Sequence, residues 1–256
     1  MNNIKDAFLN GKACISFITA GDPSLDTTKK LILKLQKSGT DLIQIGIPFS
    51  DPIAEGPIVM KAYERSLRNG CTTDKIFDML SDIKEEVKIP LVFMAYCNII
   101  FTYGKDRFLE KCKETGVAGI IVPDVPYDEK IELSKECDKY GIELISMIVP
   151  ASKERVETIA KEAKGFLYCM FNGEDKEDKT CEEQVKDMVK HIRSVSNIPC
   201  AFVYNTDKKT GIDSIKKLSD GAIIGDEIVD MVAKEGVDDF EKIDKYIKSV
   251  KDTIEC

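Results

Sequence analysis

The stretch from Asp41 to Pro57, DLIQIGIPFSDPIAEGP, holds the residues best placed to do chemistry. It reads as a buried strand, with Leu42, Ile43, Ile45 and Ile47 apolar, running straight into a loop dense in Pro, Gly and Asp. Loops at strand ends are where sites are usually built. Inside the apolar run stands Gln44, which has no titratable proton and cannot act as a general acid or base. The loop supplies carboxylates, Glu55 among them. Other chemistries have little to draw on. His191 is the one histidine and lies in a polar helical stretch, so Ser-His-Asp catalysis and histidine-rich metal sites are poorly supported. The nine cysteines are odd in number and form no CxxC, so neither a zinc site nor a thioredoxin-like motif is suggested. Cys14, Cys97, Cys169 and Cys200 lie in apolar strand-like runs and read as small buried hydrophobes in a reducing compartment.

The elements that must position these residues alternate along the whole chain. Strand-like runs fall at Ala13–Thr19, Asp41–Ile47, Pro90–Tyr96, Gly119–Pro123, Ile142–Pro150, Gly165–Phe171, Ile198–Tyr204 and Gly221–Gly225. Helical patterns such as Thr27–Ser38, Asp74–Val87, Lys105–Thr115, Asp128–Tyr140, Ser152–Ala163, Glu182–Ser194 and Gly211–Ser219 lie between them. Strands apolar throughout are buried on both faces, as parallel sheets require. Eight such units predict a closed (β/α)8 TIM barrel with extra helices. The competing open, doubly wound sheet usually has fewer strands and often a glycine fingerprint after the first; Thr19-Ala20-Gly21-Asp22-Pro23 is not GxGxxG. Thr73 or Asp74, Ser152 and Thr180 are expected N-caps, and Gly39, Gly116 and Gly141 expected helix ends. No Ser/Pro-rich linker appears, so residues 1–256 read as one domain. The charge-dense run Glu174–Lys179 reads as a solvated loop or an altered binding loop.

Composition narrows the function classes. With 256 residues and 43% apolar content, the chain can bury a full core. A net charge of −8 argues against nucleic acid or an anionic membrane surface as partners. No apolar run approaches the roughly 18 residues of a membrane span, and MNNIKDAFLNGK has no signal-peptide core, so a cytoplasmic location is expected.

Four blocks carry a family resemblance: the opening stretch; Phe17-Ile18-Thr19-Ala20-Gly21-Asp22-Pro23; Met94-Ala95-Tyr96-Cys97-Asn98 with Phe101 and Tyr103-Gly104; and Val122-Pro123-Asp124-Val125-Pro126. Together, in this order, they resemble the tryptophan synthase alpha subunit family. The resemblance implies a lyase of tryptophan biosynthesis. It would cleave indole-3-glycerol phosphate to indole and glyceraldehyde 3-phosphate by a retro-aldol step. It implies no metal or cofactor in the barrel, and a beta subunit that itself uses pyridoxal phosphate. It places Gln44 where the family has a proton-shuttling Glu, and Glu55 where it has an Asp that pairs with the indole N–H. It makes Phe17, Tyr96, Tyr168 and Gly225 substrate-binding, and Phe49, Ser50, Asp51, Pro52 and Asn98 partner-binding.

The later blocks depart from the pattern. The family's glycine-rich phosphate loops are replaced by Met170-Phe171-Asn172-Gly173-Glu174-Asp175 and Val203-Tyr204-Asn205-Thr206-Asp207, and its last turn by Gly225-Asp226-Glu227. Asp226 and Glu227 stand where a phosphate would meet a helix N-terminus. These departures imply weak or lost cleavage with a regulatory role toward the beta subunit. Two alternatives stand beside it: an active lyase with Glu55 as acid/base, and a barrel enzyme for a non-phosphorylated substrate.

Overall fold

The computed structural model of the protein describes residues 3–149, 151–170, 181–204, 217–235 and 240–255. Eight strands close a parallel barrel in sequence order: β1 Ala13–Thr19, β2 Leu42–Gly46, β3 Leu91–Met94, β4 Val117–Ile121, β5 Glu143–Ile148, β6 Leu167–Cys169, β7 Cys200–Val203 and β8 Gly221–Ile224. Ten α-helices are described around them: α1 Leu25–Lys37, α2 Pro57–Arg68, α3 Thr73–Ile83, α4 Cys97–Tyr103, α5 Lys105–Thr115, α6 Lys130–Tyr140, α7 Lys153–Glu162, α8 Cys181–Val195, α9 Asp226–Glu235 and α10 Glu241–Glu255. The (β/α)8 TIM barrel expected from the repeats is the observed fold. No described helix is long and apolar enough to cross a membrane.

Strand alternation splits the core in two. On β1, Cys14 and Ile18 face outward and pack with the helix residues Leu31, Leu35 and Ile76; Ala13, Ile15 and Phe17 face into the barrel. The same alternation on β2 sends Ile43 and Ile45 outward and leaves Leu42, Gln44 and Gly46 inside. The 3-10 turn Ile4–Phe8 closes the N-terminal end, with Ile4 1% exposed and the Phe8 ring 5.7 Å from that of Phe166. Each fully buried Ile or Leu contributes about 1.5–3 kcal/mol. A polar side chain in the inner layer is therefore a marked departure.

Boundaries follow local chemistry. The fourth strand starts two residues earlier than its apolar run suggests, directly after the left-handed Gly116 (φ 82), and stops before Pro123, which has no N–H for a ladder. Thr72, rather than Thr73 or Asp74, caps α3, accepting from the Lys75 N–H at 3.4 Å. Ser152 caps α7, and Gly116 and Gly141 end α5 and α6 as expected. The expected cap Thr180, the run Glu174–Lys179, residues 171–175 and 205–207 of the two altered loops, and residues 211–216 of the expected helix Gly211–Ser219 lie outside the described residues.

Candidate active site

The loop after β1 fixes the helix that follows the Glu55 loop. Asp22, 3% exposed, accepts two hydrogen bonds from Arg65 of α2, at 2.9 and 2.7 Å. Ser66 Oγ donates to the Ala20 carbonyl at 2.6 Å. The bidentate geometry and the burial of Asp22 make this a strong tie. Gly56 is the N-cap of α2 and Pro57 its first residue, where a missing N–H costs nothing. Anchoring α2 therefore anchors Glu55, one residue upstream of its cap.

Glu55 is held by two phenols. Tyr96 donates to one carboxylate oxygen, and Tyr63 donates to the other at 3.4 Å. The Tyr96 hydroxyl also accepts from the Ile53 and Ala54 N–H groups, both at 2.9 Å, so one phenol pins the loop and the carboxylate together. Phe49 stacks on the Tyr96 ring at 4.9 Å. Burial raises the Glu55 pKa above the ordinary carboxylate range, and the bonds from Tyr96 and Tyr63 pull it partly back. Burial and the nearby Glu55 charge push Tyr63 up in turn. Tyr63 is the partner that the motif blocks do not contain. Its only trace in the sequence is its place on the buried face of α2 with Val59 and Ala62.

A cavity of about 160 Å³ opens beside this network at the C-terminal ends of the strands. Phe17, Glu55, Met94, Tyr168, Gly225 and Asp226 line it, among others. Two glycines make room for Phe17. A Cβ on Gly46 would come within 2.7 Å of the Phe17 ring and the Tyr63 hydroxyl, and one on Gly225 within 3.1 Å of Phe17. Gln44 does not line the cavity. It lies mid-strand and fully buried, in register between Phe17 and Val92. Its Nε2 donates to the Met94 sulfur at 3.0 Å, and the Tyr168 hydroxyl neighbours the amide. Its carbonyl oxygen has no partner. Gln44 thus packs against Met94 and Tyr168, which do line the cavity. The amide is thus only half satisfied by its protein neighbours, a thioether and a phenol.

Asp226 and Glu227 part company at the start of α9. Asp226 lines the cavity, and burial, then the adjacent Glu227 charge, raise its pKa. Glu227 lies beside Tyr246 of α10, whose own pKa burial and that carboxylate drive upward. Successive helical residues point about 100° apart, so the two acids cannot share one cavity. Of the two acids, Asp226 alone lines the cavity.

The remaining predicted residues lie on the rim. Ser50, Asp51 and Asn98 are exposed, and Pro52 and Phe49 half-buried. Ser50 Oγ donates to the Asp51 carboxylate at 2.5 Å. Asn98 rides on α4, whose first N–H, from Cys97, donates to Asp124 at 2.9 Å. Ile53 and Phe101 nearby are 78% and 58% exposed. Asp124 belongs to the Val122–Pro126 block, and its capping role is visible only in three dimensions.

A closed barrel of eight parallel strands, with carboxylate, phenols and an apolar cavity gathered at the strands' C-terminal ends, defines an enzyme-type (β/α)8 barrel. Comparison with known proteins narrows the class. The model of the tryptophan synthase alpha chain family matches residues 4–255. The tryptophan synthase alpha chain of Petrotoga mobilis is 42% identical over 250 residues, covering 97% of this chain and 96% of that one. That of Lacticaseibacillus casei is 37% identical over 257 residues, covering 100% and 97%. Among solved structures, the tryptophan synthase subunit alpha from Campylobacter jejuni superposes with a TM-score of 0.83 at 33% identity, covering 94% of this chain and 96% of that chain. The chain belongs to the tryptophan synthase alpha chain family.

Proposed function

We propose that this protein is a tryptophan synthase alpha-like barrel whose cleavage of indole-3-glycerol phosphate is greatly weakened and whose retained role is to bind and regulate a beta subunit. The observation that carries the reading is the character of the polar groups in the cavity wall and packed against it. Buried Gln44 cannot exchange a proton, and its position is the one where the resemblance puts the family's Glu. A half-buried carboxylate, Asp226, faces the cavity at the helix N-terminus where a phosphate would sit. Two charges about 4 Å apart at an effective dielectric near 20 repel by about 4 kcal/mol, roughly a thousandfold in affinity. By contrast, the Glu55 loop and the start of α4, which the resemblance turns toward the beta subunit, are held by hydrogen bonds to Tyr96 and Asp124. The partner, not this chain, would carry pyridoxal phosphate.

Indole release from indole-3-glycerol phosphate, measured on the purified chain with and without a beta subunit, tests this. Turnover reduced by about 10²-fold or more relative to the Petrotoga mobilis relative, with a measurable change in beta-subunit activity on mixing, supports the reading. Comparable turnover in the two proteins overturns it.

A second reading is favoured by one observation: Glu55 is half-buried, its pKa is raised, and two phenols hold it. In that reading the chain is an active lyase with Glu55 moving the proton. Glu55→Gln then abolishes whatever turnover the unmodified chain shows. Turnover that survives Glu55→Gln removes this alternative.

A further inference from the structure

The cavity's polar groups are almost all acceptors. Glu55 and Asp226 line it, and the unpartnered carbonyl of fully buried Gln44 lies behind its wall residues Met94 and Tyr168. No Lys, Arg or His lines it among the described residues. Glu55 is bonded to the two phenols, and the charged neighbour of Asp226 is another acid, Glu227. Buried carboxylates are normally paired with a cation or neutralised. Among the described residues no cation meets them, so a ligand is a natural source of one. A metal ion is a poor occupant, because no group of three or more His, Cys, Asp or Glu among the described residues is arranged to hold it.

The rest of the wall says what the cation is attached to. Phe17, Tyr168 and Tyr204 offer ring surface, and Met94, Val203 and Ile223 offer apolar contact. Aromatic faces attract ammonium groups as well as rings. The cavity volume of about 160 Å³ is close to the ~150 Å³ of an apolar cavity known to take benzene. We propose that the cavity binds a compact aromatic monoammonium cation, an arylalkylamine, with its ring against Phe17, Met94 and Tyr168 and its ammonium group on Asp226. Glu55 then accepts a ring N–H where the ligand has one. This assignment rests on the reading that the site no longer takes a phosphate.

Calorimetric titration of the full chain tests it with three probes at one pH and one salt concentration: tryptamine, indole and indole-3-propanol phosphate. Tryptamine is expected to bind at least about tenfold tighter than indole, the scale of one charge-assisted hydrogen bond, and the phosphate compound weakest of the three. Asp226→Asn is expected to erase the preference for tryptamine over indole. Asp226→Ser serves the same purpose if the amide variant unfolds. Tryptamine binding no tighter than indole, or a preference that survives both substitutions, overturns the proposal and leaves the weakened-lyase reading standing. Tightest binding by the phosphate compound overturns both. Failure of all three probes to bind at millimolar concentration also overturns the cation assignment.

Discussion

The two sides of the barrel mouth are built on opposite principles. On the side formed by β1 to β4, three carboxylates near the rim are held by partners: Asp22 by Arg65, Glu55 by Tyr96, which also takes two loop N–H groups, and Asp124 by the start of α4. On the side toward β8, Asp226 faces the cavity with no cation beside it among the described residues, and inside the barrel Gln44 of β2 keeps a bare carbonyl. A satisfied network specifies one geometry, which is what a surface presented to a rigid partner needs. Unsatisfied groups around a cavity are what remains when a ligand changes or is lost. The contrast predicts that the two regions respond differently to substitution.

The largest effect concerns chemistry at the two unsatisfied groups, Gln44 and Asp226. If Gln44 and Asp226 each block cleavage, Gln44→Glu alone recovers little of the about 10²–10⁴-fold that general acid–base catalysis normally supplies. Combining it with Asp226→Ser and the family's glycine-rich loops recovers more. Indole release by the single and combined variants measures this. Full recovery by Gln44→Glu alone would show that Asp226 does not obstruct the phosphate, and the contrast between the sides would shrink to one residue. The next effect is on the satisfied side. Arg65→Ala leaves the Asp22 carboxylate, whose side chain is 2% exposed, without its cation. Breaking a buried pair costs about 3–5 kcal/mol; because Arg65 is itself 36% exposed, about 3 kcal/mol is expected from urea unfolding. A loss below about 1 kcal/mol would mean that solvent replaces Arg65 and the network is not closed after all.

Much of this architecture was readable beforehand. Eight apolar runs had to be doubly buried strands, and their number required closure. The location of Glu55, Phe17, Tyr168 and Gly225 at strand ends followed from the barrel itself. What escaped was pairing at a distance. Asp22 and Arg65 are 43 positions apart, and Tyr96 and Glu55 are 41 apart, so no local pattern joins them. The divergence of Asp226 from Glu227 was hidden for a different reason. Adjacent acids look equivalent in a sequence, and only the placement of α10, with Tyr246, decides which one turns away. Likewise the depth of Gln44 depends on Met94 and Tyr168 closing over it, a matter of packing across three strands.

A smaller effect probes how the closed side holds its loop. Tyr96→Phe removes the acceptor for the Ile53 and Ala54 N–H groups and a donor to Glu55. A loss of about 1–3 kcal/mol is expected, the usual cost of stranding buried polar groups. Hydrogen exchange at Ile53 and Ala54 should quicken, and binding to a beta subunit should weaken in parallel. Faster exchange without weaker binding would separate the loop from the partner surface.

The smallest effect is the most direct test of the open side. Asp226 has a folded-state pKa raised above the value of 3.8 it takes when unfolded, by burial first and Glu227 second. The folded state therefore holds the Asp226 proton more tightly than the unfolded chain. Above the folded pKa the charged form weighs against folding. As pH falls through that value the penalty lifts, and it is gone below the unfolded pKa. Replacing Asp226 with Asn removes the charge outright. The variant should be more stable than the parent at neutral pH, and the difference should close as the solution is acidified. The helix dipole opposes this, since a carboxylate in the first turn of α9 gains about 0.3–1 kcal/mol from it. The net gain is therefore expected to stay below about 1 kcal/mol and to show best as a difference between paired thermal melts across pH. Glu55 also faces the cavity with a raised pKa, but it is present in both proteins and cancels in the difference. If Asp226→Asn instead lowers stability at neutral pH, the dipole outweighs burial and Asp226 is well housed. The side toward β8 would then be as settled as its counterpart, and the case for a cationic ligand would lose its electrostatic basis.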